Sequence, residues 1–427
     1  MALIDDVRGR RVWDSRGRPT VEVGVRVGAA VGRAIAPAGA SRGSGERCDR
    51  RDGGSAQRGF DVRGAVAAVN DEIAPALIGR SLDGGGRVQA ELDALLVALD
   101  GTPDRSRLGG NALVATSMAL AWAGAAAQDL PLWAALDRLA VRVPLPEIQI
   151  IGGGAHAEGA LDLQDLMVVC PGATSFAEAL DWTAEVYLAA GDLVRRRGRA
   201  VGVADEGGWW PTFATNTEAI ATLAEAIERA GFRAGEQVAI SLDVAASELW
   251  RDGRYHLTLE DRALDTDGMT GLVLGWLRDF PVVMVEDPLH EADVVGTAAF
   301  TAAAPPGVLV VADDLAVTND ERVRTLAAVG AANALLVKPN QAGTLTEALA
   351  ARRAAAVAGW RSIVSARSGE SEDVTICHLA VGWGADMLKV GSITRGERTA
   401  KWNEMLRIEE AIGSAARFVG AAPFAPD

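Results

Sequence analysis

Six apolar runs in the second half of the chain each close on a charged residue, and the sign of the charge changes in order along the sequence. Gln237 to Asp243 (QVAISLD), Val282 to Asp287 (VVMVED) and Val308 to Asp314 (VLVVADD) end on acids. Ala332 to Lys338 (ANALLVK), Ser362 to Arg367 (SIVSAR) and Met387 to Val390 (MLKV) carry cations. If each run is a strand, Asp243, Glu286 and Asp313 leave their strands beside Lys338, Arg367 with Ser368, and Lys389. An acid at one strand end is ordinarily a solvated loop residue; three in register, followed by cations at later strand ends, form a pattern with chemical use.

Three such carboxylates make an oxygen-rich site for a hard divalent cation such as Mg2+, which keeps coordination positions for water or substrate. Cationic neighbours disfavour a protonated amine, so a lysine there is expected to act as a base near neutral pH. The metal stabilises charge on a substrate carboxylate when the adjacent carbon loses a proton. Arg367 and Ser368 suit a phosphate through a bidentate guanidinium and a hydroxyl donor. ADEGG (Ala204 to Gly208) places Glu206 in a tight glycine loop fit for a proton donor, and GGGAHAEGALDLQD (Gly152 to Asp165) adds His156 and Asp165. The chain has 4 histidines and none stands beside an obvious serine nucleophile, which disfavours hydrolase chemistry.

These groups need a scaffold that brings distant strand ends together. From Pro144 onward strand-length runs alternate with helical stretches such as Thr217 to Ala230, where Ile220, Leu223 and Ile227 share a face and Gly231 supplies a stop. Repeated strand-then-helix units predict a parallel sheet with both faces covered. A (β/α)8 barrel is the expected form, since its catalytic groups sit at the C-terminal ends of the strands. Before it, Val21, Val23, Val25 and Val27 alternate with Glu22, Gly24 and Arg26 as a half-buried strand, and a Gly-Ala turn leads to Val31 to Ala36 as the second arm of a hairpin. Alanine-rich helical patterns follow to about Ala140, so an α+β domain over residues 1–140 is expected ahead of a barrel over 141–427.

Composition narrows the partners. A chain of 427 residues with 49% apolar content can bury a large core, and its net charge of −15 opposes nucleic acid or anionic membrane as a main partner. The three cysteines, Cys48, Cys170 and Cys377, are far apart without metal-ligand spacing, which favours a reducing compartment. MALIDDVRGRR has acids where a signal peptide needs an apolar stretch. Ala112 to Ala127 (ALVATSMALAWAGAAA) falls short of the ~20 apolar residues of a membrane span and reads as a buried helix. A cytoplasmic protein is expected.

With these residues in hand, the chain resembles enolase (phosphopyruvate hydratase) over nearly its full length. WDSRGRPTVEV, APAGASRG, VNDEIAPALIG, GGGAHAEGALDLQD, ADEGG, SLDVAASE, VEDPLHEAD, ADDLAVTN, LLVKPNQAGTLTE, SARSGESED and RGERTAKWNEMLRIEE carry the resemblance in order. It implies an α/β protein with an N-terminal α+β domain and an enolase-type (β/α)8 barrel, usually a homodimer or larger. It also implies a small phosphorylated carboxylic acid as substrate, 2-phosphoglycerate, phosphoenolpyruvate or a close analogue, and the use of two Mg2+ ions as the expectation for cofactors. The use of a Lys or His base with Mg2+ is a known feature of enolase-superfamily sites. By resemblance, Asp243, Glu286 and Asp313 bind the first magnesium, and Ser41 in a mobile loop helps bind the second. Lys338 resembles the base, Glu206 the acid that helps the C3 hydroxyl leave, Lys389 the holder of the carboxylate, and Arg367 with Ser368 the phosphate grip, while His156 and Gln164 line the pocket.

Four departures cluster near the leaving group and the loop. Ala366 stands where enolases carry histidine, and Asp165 where they carry glutamate beside the proton donor. SRGSGER (Ser41 to Arg47) alters the loop at Arg42 and Gly45, and Trp209-Trp210 follows ADEGG. Proton abstraction is expected to survive while the group handled at C3 changes. A specialised branch of phosphonate biosynthesis makes carboxyphosphonoenolpyruvate by transferring a phosphonoformyl unit from a cytidylyl-activated donor. The departures and an Ala-, Gly- and Arg-rich composition suit that branch as well as a working enolase, with Trp210 or Arg42 to meet the nucleotide. A non-catalytic binding protein of enolase shape is the alternative of another class; both lysines and all three acids argue against it. SGESED and KPNQAGT argue against an acid-sugar dehydratase of the wider superfamily.

Overall fold

The structure is a computed structural model that describes residues 2–157 and 159–425. The Val21 to Val27 alternation lies in the strand Pro19–Val27, paired antiparallel with Ala30–Ile35 across a turn at Gly28, whose φ of 58° favours glycine. A third strand, Asp6–Trp13, pairs along the other side. Its sequence DVRGRRVW hides it: the charged side chains of an edge strand face solvent, and only Val7 and Gly9 are buried. The helix Gly110–Ala126 covers this sheet and is buried along most of its length. It approaches so closely that a Cβ on Gly32 would lie 2.1 Å from the Ala123 nitrogen. The alanine-rich segment is thus a core helix, and among the described residues no helix is long and apolar enough to cross a membrane.

Eight strands close the barrel: Leu145–Gly152, Asp165–Val169, Ala239–Asp243, Val282–Glu286, Leu309–Ala312, Ala334–Val337, Arg361–Ser365 and Met387–Ser392, the last pairing with the first. The six expected runs are all strands of this ring. The first two strands were not anticipated, and one corrects the expected all-parallel sheet: Asp165–Val169 runs antiparallel to both neighbours. Its link from the first strand is a loop with a short turn of 3-10 helix, Gly154–His156, instead of a crossover helix, and a short link permits only antiparallel return. Asp165, the first residue of its strand, therefore pairs in register with Asp243, the last residue of the next.

The period of two along each strand sets which side chains reach the mouth. Leu145, Val169, Ala239, Met284, Leu309, Val311, Ala334, Leu336, Ile363 and Met387 form one apolar cluster inside the barrel. Two residues beyond Met284, Val311, Leu336 and Met387 stand Glu286, Asp313, Lys338 and Lys389, on the same inward face. Beside the ring, Ala200–Val203 and Trp209–Pro211 form an antiparallel hairpin joined to the first barrel strand at Ile151. Its tip is Ala204 to Gly208, closed by Gly207 N–H to Ala204 O at 2.9 Å with Gly207 at a φ of 96°.

Candidate active site

Every expected site residue except Glu286 and Asp313 lines one small cavity at the barrel mouth. Those two acids stand behind it, bonded to Lys389 and Lys338 that do line it. A larger cavity, about 770 Å³, lies elsewhere among the Gly86–Asp100, Gly110–Ala126 and Leu345–Val357 helices; among the described residues its lining holds a single acid, Asp137, and no histidine. Converging chemical groups, and not size, single out the mouth.

One side of the mouth is a line of hydrogen bonds. His156 Nδ1 meets Asp165 Oδ1 at 3.0 Å, His156 Nε2 meets Ser368 Oγ at 3.0 Å, and Glu206 lies 3.8 Å from the same Nε2. This corrects the expectation that no histidine pairs with a serine. Burial opposes charge on His156, but Asp165 and Glu206 outweigh it and raise the ring to about 9. A protonated ring donates on both sides and cannot take the serine proton, so the arrangement is no hydrolytic triad at neutral pH. Burial likewise opposes ionisation of Asp165, yet His156, the Gln149 amide and Lys389 hold it down to about 2. Ser368 Oγ also accepts from Ala40 N–H at 3.3 Å, which leaves the hydroxyl proton free to point into the cavity.

On the other side charges interleave. Lys389 Nζ lies 3.0 Å from Asp243 Oδ2 and 2.7 Å from Glu286 Oε2, and Lys338 bonds Asp313. The expected trio is therefore not gathered around one point. Among the described residues the tight groupings of possible ligands are His156, Asp165 and Glu206, and Asp287, Asp313 and Asp314. The expectation of a lysine inclined to lose its proton is also corrected: burial and Arg367 work that way, but Asp313 prevails and Lys338 is raised above its usual value. Lys389 is raised further, against burial, by Asp243 and Glu286. Burial and then Asp243 push Glu286 well above the carboxylate range.

The site fits a hard divalent cation. Its available ligands are carboxylate oxygens, the set that Mg2+ prefers. Burial and then the charge of Asp243 raise Glu286 above the carboxylate range there, and Gln164 Oε1, on the amide whose Nε2 reaches Asp243 at 3.2 Å, is buried with no hydrogen-bond partner among the described residues.

Arg367 is in the cavity wall, but its guanidinium is engaged from the loop. Nη1 reaches Glu46 Oε2 at 2.9 Å and Asn340 Oδ1 at 3.1 Å, and Nη2 reaches Glu46 Oε1 and the Ser41 carbonyl, both at 3.0 Å. Ala366 lines the same cavity and presents only a methyl group there. Neither tryptophan does: Trp209 stacks on Tyr187 with centroids 4.9 Å apart and lies under Arg195, while Trp210 is absent from the lining. Arg42 points to the Arg47 carbonyl at 3.2 Å, with Nε 3.9 Å from Glu46.

Sequence reasoning missed three residues that organise the mouth. Gln149 donates to Asp165 and accepts from Gly208 N–H at 2.8 Å, tying the acid to the loop of Glu206. Glu147 is buried beneath, accepting from Ser241 Oγ at 2.7 Å, and burial raises it to about 7. Their signal was present: in LPEIQIIG the two polar residues alternate within an apolar run, which marks the inner face of a strand. Glu46 gave no signal, being one charge among several in SRGSGER.

Two family models match the chain. The enolase N-terminal domain covers residues 4–136, and the enolase C-terminal TIM barrel domain covers residues 140–426. The protein "Enolase 1" of Desulfitobacterium hafniense (strain Y51) is 43% identical over 427 residues, spanning 99% of this chain and 97% of that relative.

Proposed function

The chain belongs to the enolase family, and from that premise we propose that it is a Mg2+-dependent lyase that forms the enolate of 2-phosphoglycerate or a close analogue and expels the C3 substituent. The observation that carries this is the division of one cavity into an ammonium-and-carboxylate side and a proton-donor side, with Arg367 and Ser368 in the wall between. The carboxylate of the substrate sits against Lys389, and Lys338 is the base that takes the proton from C2. On the opposite side Glu206 gives a proton to the departing hydroxyl, with His156 and Asp165 fixing the charge around it. Asp165 acts here through His156, as a positioning group. Gln164 closes the pocket beside Asp243. The two parts of the chain divide near residue 140 in this reading.

Magnesium would be held by Asp243, Glu286 and Asp313 once these acids exchange Lys389 and Lys338 for the ion, with Ser41 serving a second ion; it would stabilise the enolate charge and neutralise the carboxylates that keep Lys338 protonated. The lysines then have one substrate carboxylate and one labile proton to attend to. Water is excluded because the acids and amines are almost completely buried.

A second reading is favoured by one observation: Ala366 offers the cavity only a methyl group and no titratable one. In it, the C2 oxygen of an enolpyruvate acceptor attacks the phosphorus of a cytidylyl-activated phosphonoformate, and the new P–O bond of carboxyphosphonoenolpyruvate replaces the bond to cytidine monophosphate, which leaves. Phosphorus NMR of 2-phosphoglycerate with enzyme and MgCl2, with and without that donor, separates the two. Phosphoenolpyruvate from the donor-free mixture supports the lyase; a phosphonate product that needs the donor supports the transfer; no product in either mixture favours a binding protein.

A further inference from the structure

The guanidinium that the proposed function gives to the substrate phosphate already holds an anion. Glu46 meets Arg367 with both carboxylate oxygens, and neither side chain is exposed beyond 3%. The carboxylate is seated by three further contacts: Oε1 accepts from Gly43 N–H at 3.2 Å and from Gln341 Nε2 at 3.3 Å, and Arg42 Nε lies 3.9 Å from Oε2. Arg367 is pressed against the loop itself, since a Cβ on Gly39 would fall 1.9 Å from its Nη2. A carboxylate and a phosphate present the same two-oxygen edge to a guanidinium. Both cannot hold that edge at once.

We propose that Glu46 is an internal competitor for the oxyanion seat of Arg367, so that the site admits a tetrahedral dianion, phosphate or phosphonate, and excludes planar monoanions. This rests on the reading of Arg367 as the phosphate-binding group. The competitor brings one negative charge and two oxygens. A phosphate dianion brings more charge and further oxygens, one of which can accept from the free hydroxyl proton of Ser368. A carboxylate ligand offers Arg367 nothing that Glu46 does not already supply, and it lacks the advantage of being tethered nearby. Arg42, on the same loop and partly exposed, is the group placed to take the released carboxylate. Displacement of Glu46 frees Gly43 and Gln341 from it as well, which couples anion binding to the position of residues 41–47.

Inorganic phosphate and acetate are the probes, titrated calorimetrically into the full chain with saturating MgCl2. Glu46→Gln is expected to bind phosphate at least ~10-fold more tightly than the wild type, because the competent state no longer has to be released from its own anion. It should also acquire acetate binding that the wild type lacks. Its melting temperature should rise more with phosphate than that of the wild type, a readout available even if the variant is destabilised. Glu46→Asp, with the carboxylate drawn back by one methylene, should change in the same direction by less, and serves if the glutamine variant does not fold. Unchanged or weaker phosphate affinity in both variants overturns the competition. Phosphate binding that survives Arg367→Leu undiminished overturns instead the assignment of Arg367, and the proposal with it.

Discussion

The two sides of the barrel mouth hold their charges by different means. On the His156 side the charged groups are tied into a hydrogen-bonded line: Asp165 takes donors from His156 and Gln149, and Gln149 reaches on to Gly208. On the Lys338 side acids and ammonium groups interleave, Lys389 between Asp243 and Glu286 and Lys338 on Asp313, with the Gln164 and Gln341 amides as further donors to Asp243 and Asp313. A hydrogen-bonded line keeps its geometry whatever enters the pocket, whereas an interleaved charge cluster must change partners when a cation or an anionic substrate arrives. On the proposed roles, the difference gives rigidity to the side of Glu206 and adaptability to the side of Lys338.

The largest effect that can break this division is expected at Lys338. Lys338→Met should lower turnover by ~10²–10⁴-fold, the usual share of a general base, and should abolish exchange of the C2 proton of 2-phosphoglycerate in D2O. Glu206→Gln should lower turnover comparably but leave that exchange in place, because the opposite side enters after the proton has gone. Equal loss of exchange in both variants would mean that the two sides act as one unit.

Glu147 sharpens the accounting on the ammonium side. Its neighbours on that side include Lys389, which draws it toward ionisation, but burial prevails and leaves it raised from 4.5 to about 7. Below about pH 4.5 folded and unfolded chains both hold the proton; between 4.5 and 7 the unfolded chain releases it and the folded chain does not. Stability therefore falls as pH rises through that window, by roughly 3 kcal/mol in total. Glu147→Gln stays neutral and should lack this fall, so the difference between the two proteins in urea unfolding should change by about that amount from pH 4.5 to 7.5. A constant difference would mean that Glu147 is ionised in the fold and belongs among the acids that Lys389 offsets.

The two sides were also unequally legible. Glu286, Asp313 and Lys338 close apolar runs of strand length and Lys389 interrupts one, and a period of two carries these inward residues to the mouth, so local pattern sufficed. Asp165 begins a five-residue strand with no alternation, DLMVV, whose direction is reversed. Nothing local distinguishes a strand that enters at the mouth from one that leaves there. The raised proton affinity of Lys338 was misjudged because it depends on which neighbour is closest, and Asp313 lies nearer than any cation. The Glu46 and Arg367 pair spans 321 positions of sequence and joins a glycine-rich loop to a strand end. Such a contact is fixed by the packing of the N-terminal segment on the barrel and leaves no periodic trace.

The smallest expected effect tests the rigid side alone. Gln149 is fully buried, and its amide is oriented without ambiguity, since Gly208 offers a donor and Asp165 an acceptor. Gln149→Leu removes both bonds, leaves the Gly208 N–H unpaired at a cost of about 1–3 kcal/mol in stability, and takes one donor from Asp165. Donors to the ionised form depress a carboxyl, so their loss raises Asp165 from its value of about 2. Activity that requires ionised Asp165 then fails at a higher pH than before: the acidic limb of the kcat profile should move upward, with a drop of ~10-fold at neutral pH if the Glu206 loop also shifts. A merely structural glutamine would lower the melting temperature and leave that limb where it was. Gln149→Leu should also leave the C2 proton exchange that depends on Lys338 nearly unchanged, and a large loss of that exchange would show that the hydrogen-bonded line and the charge cluster are not separable parts.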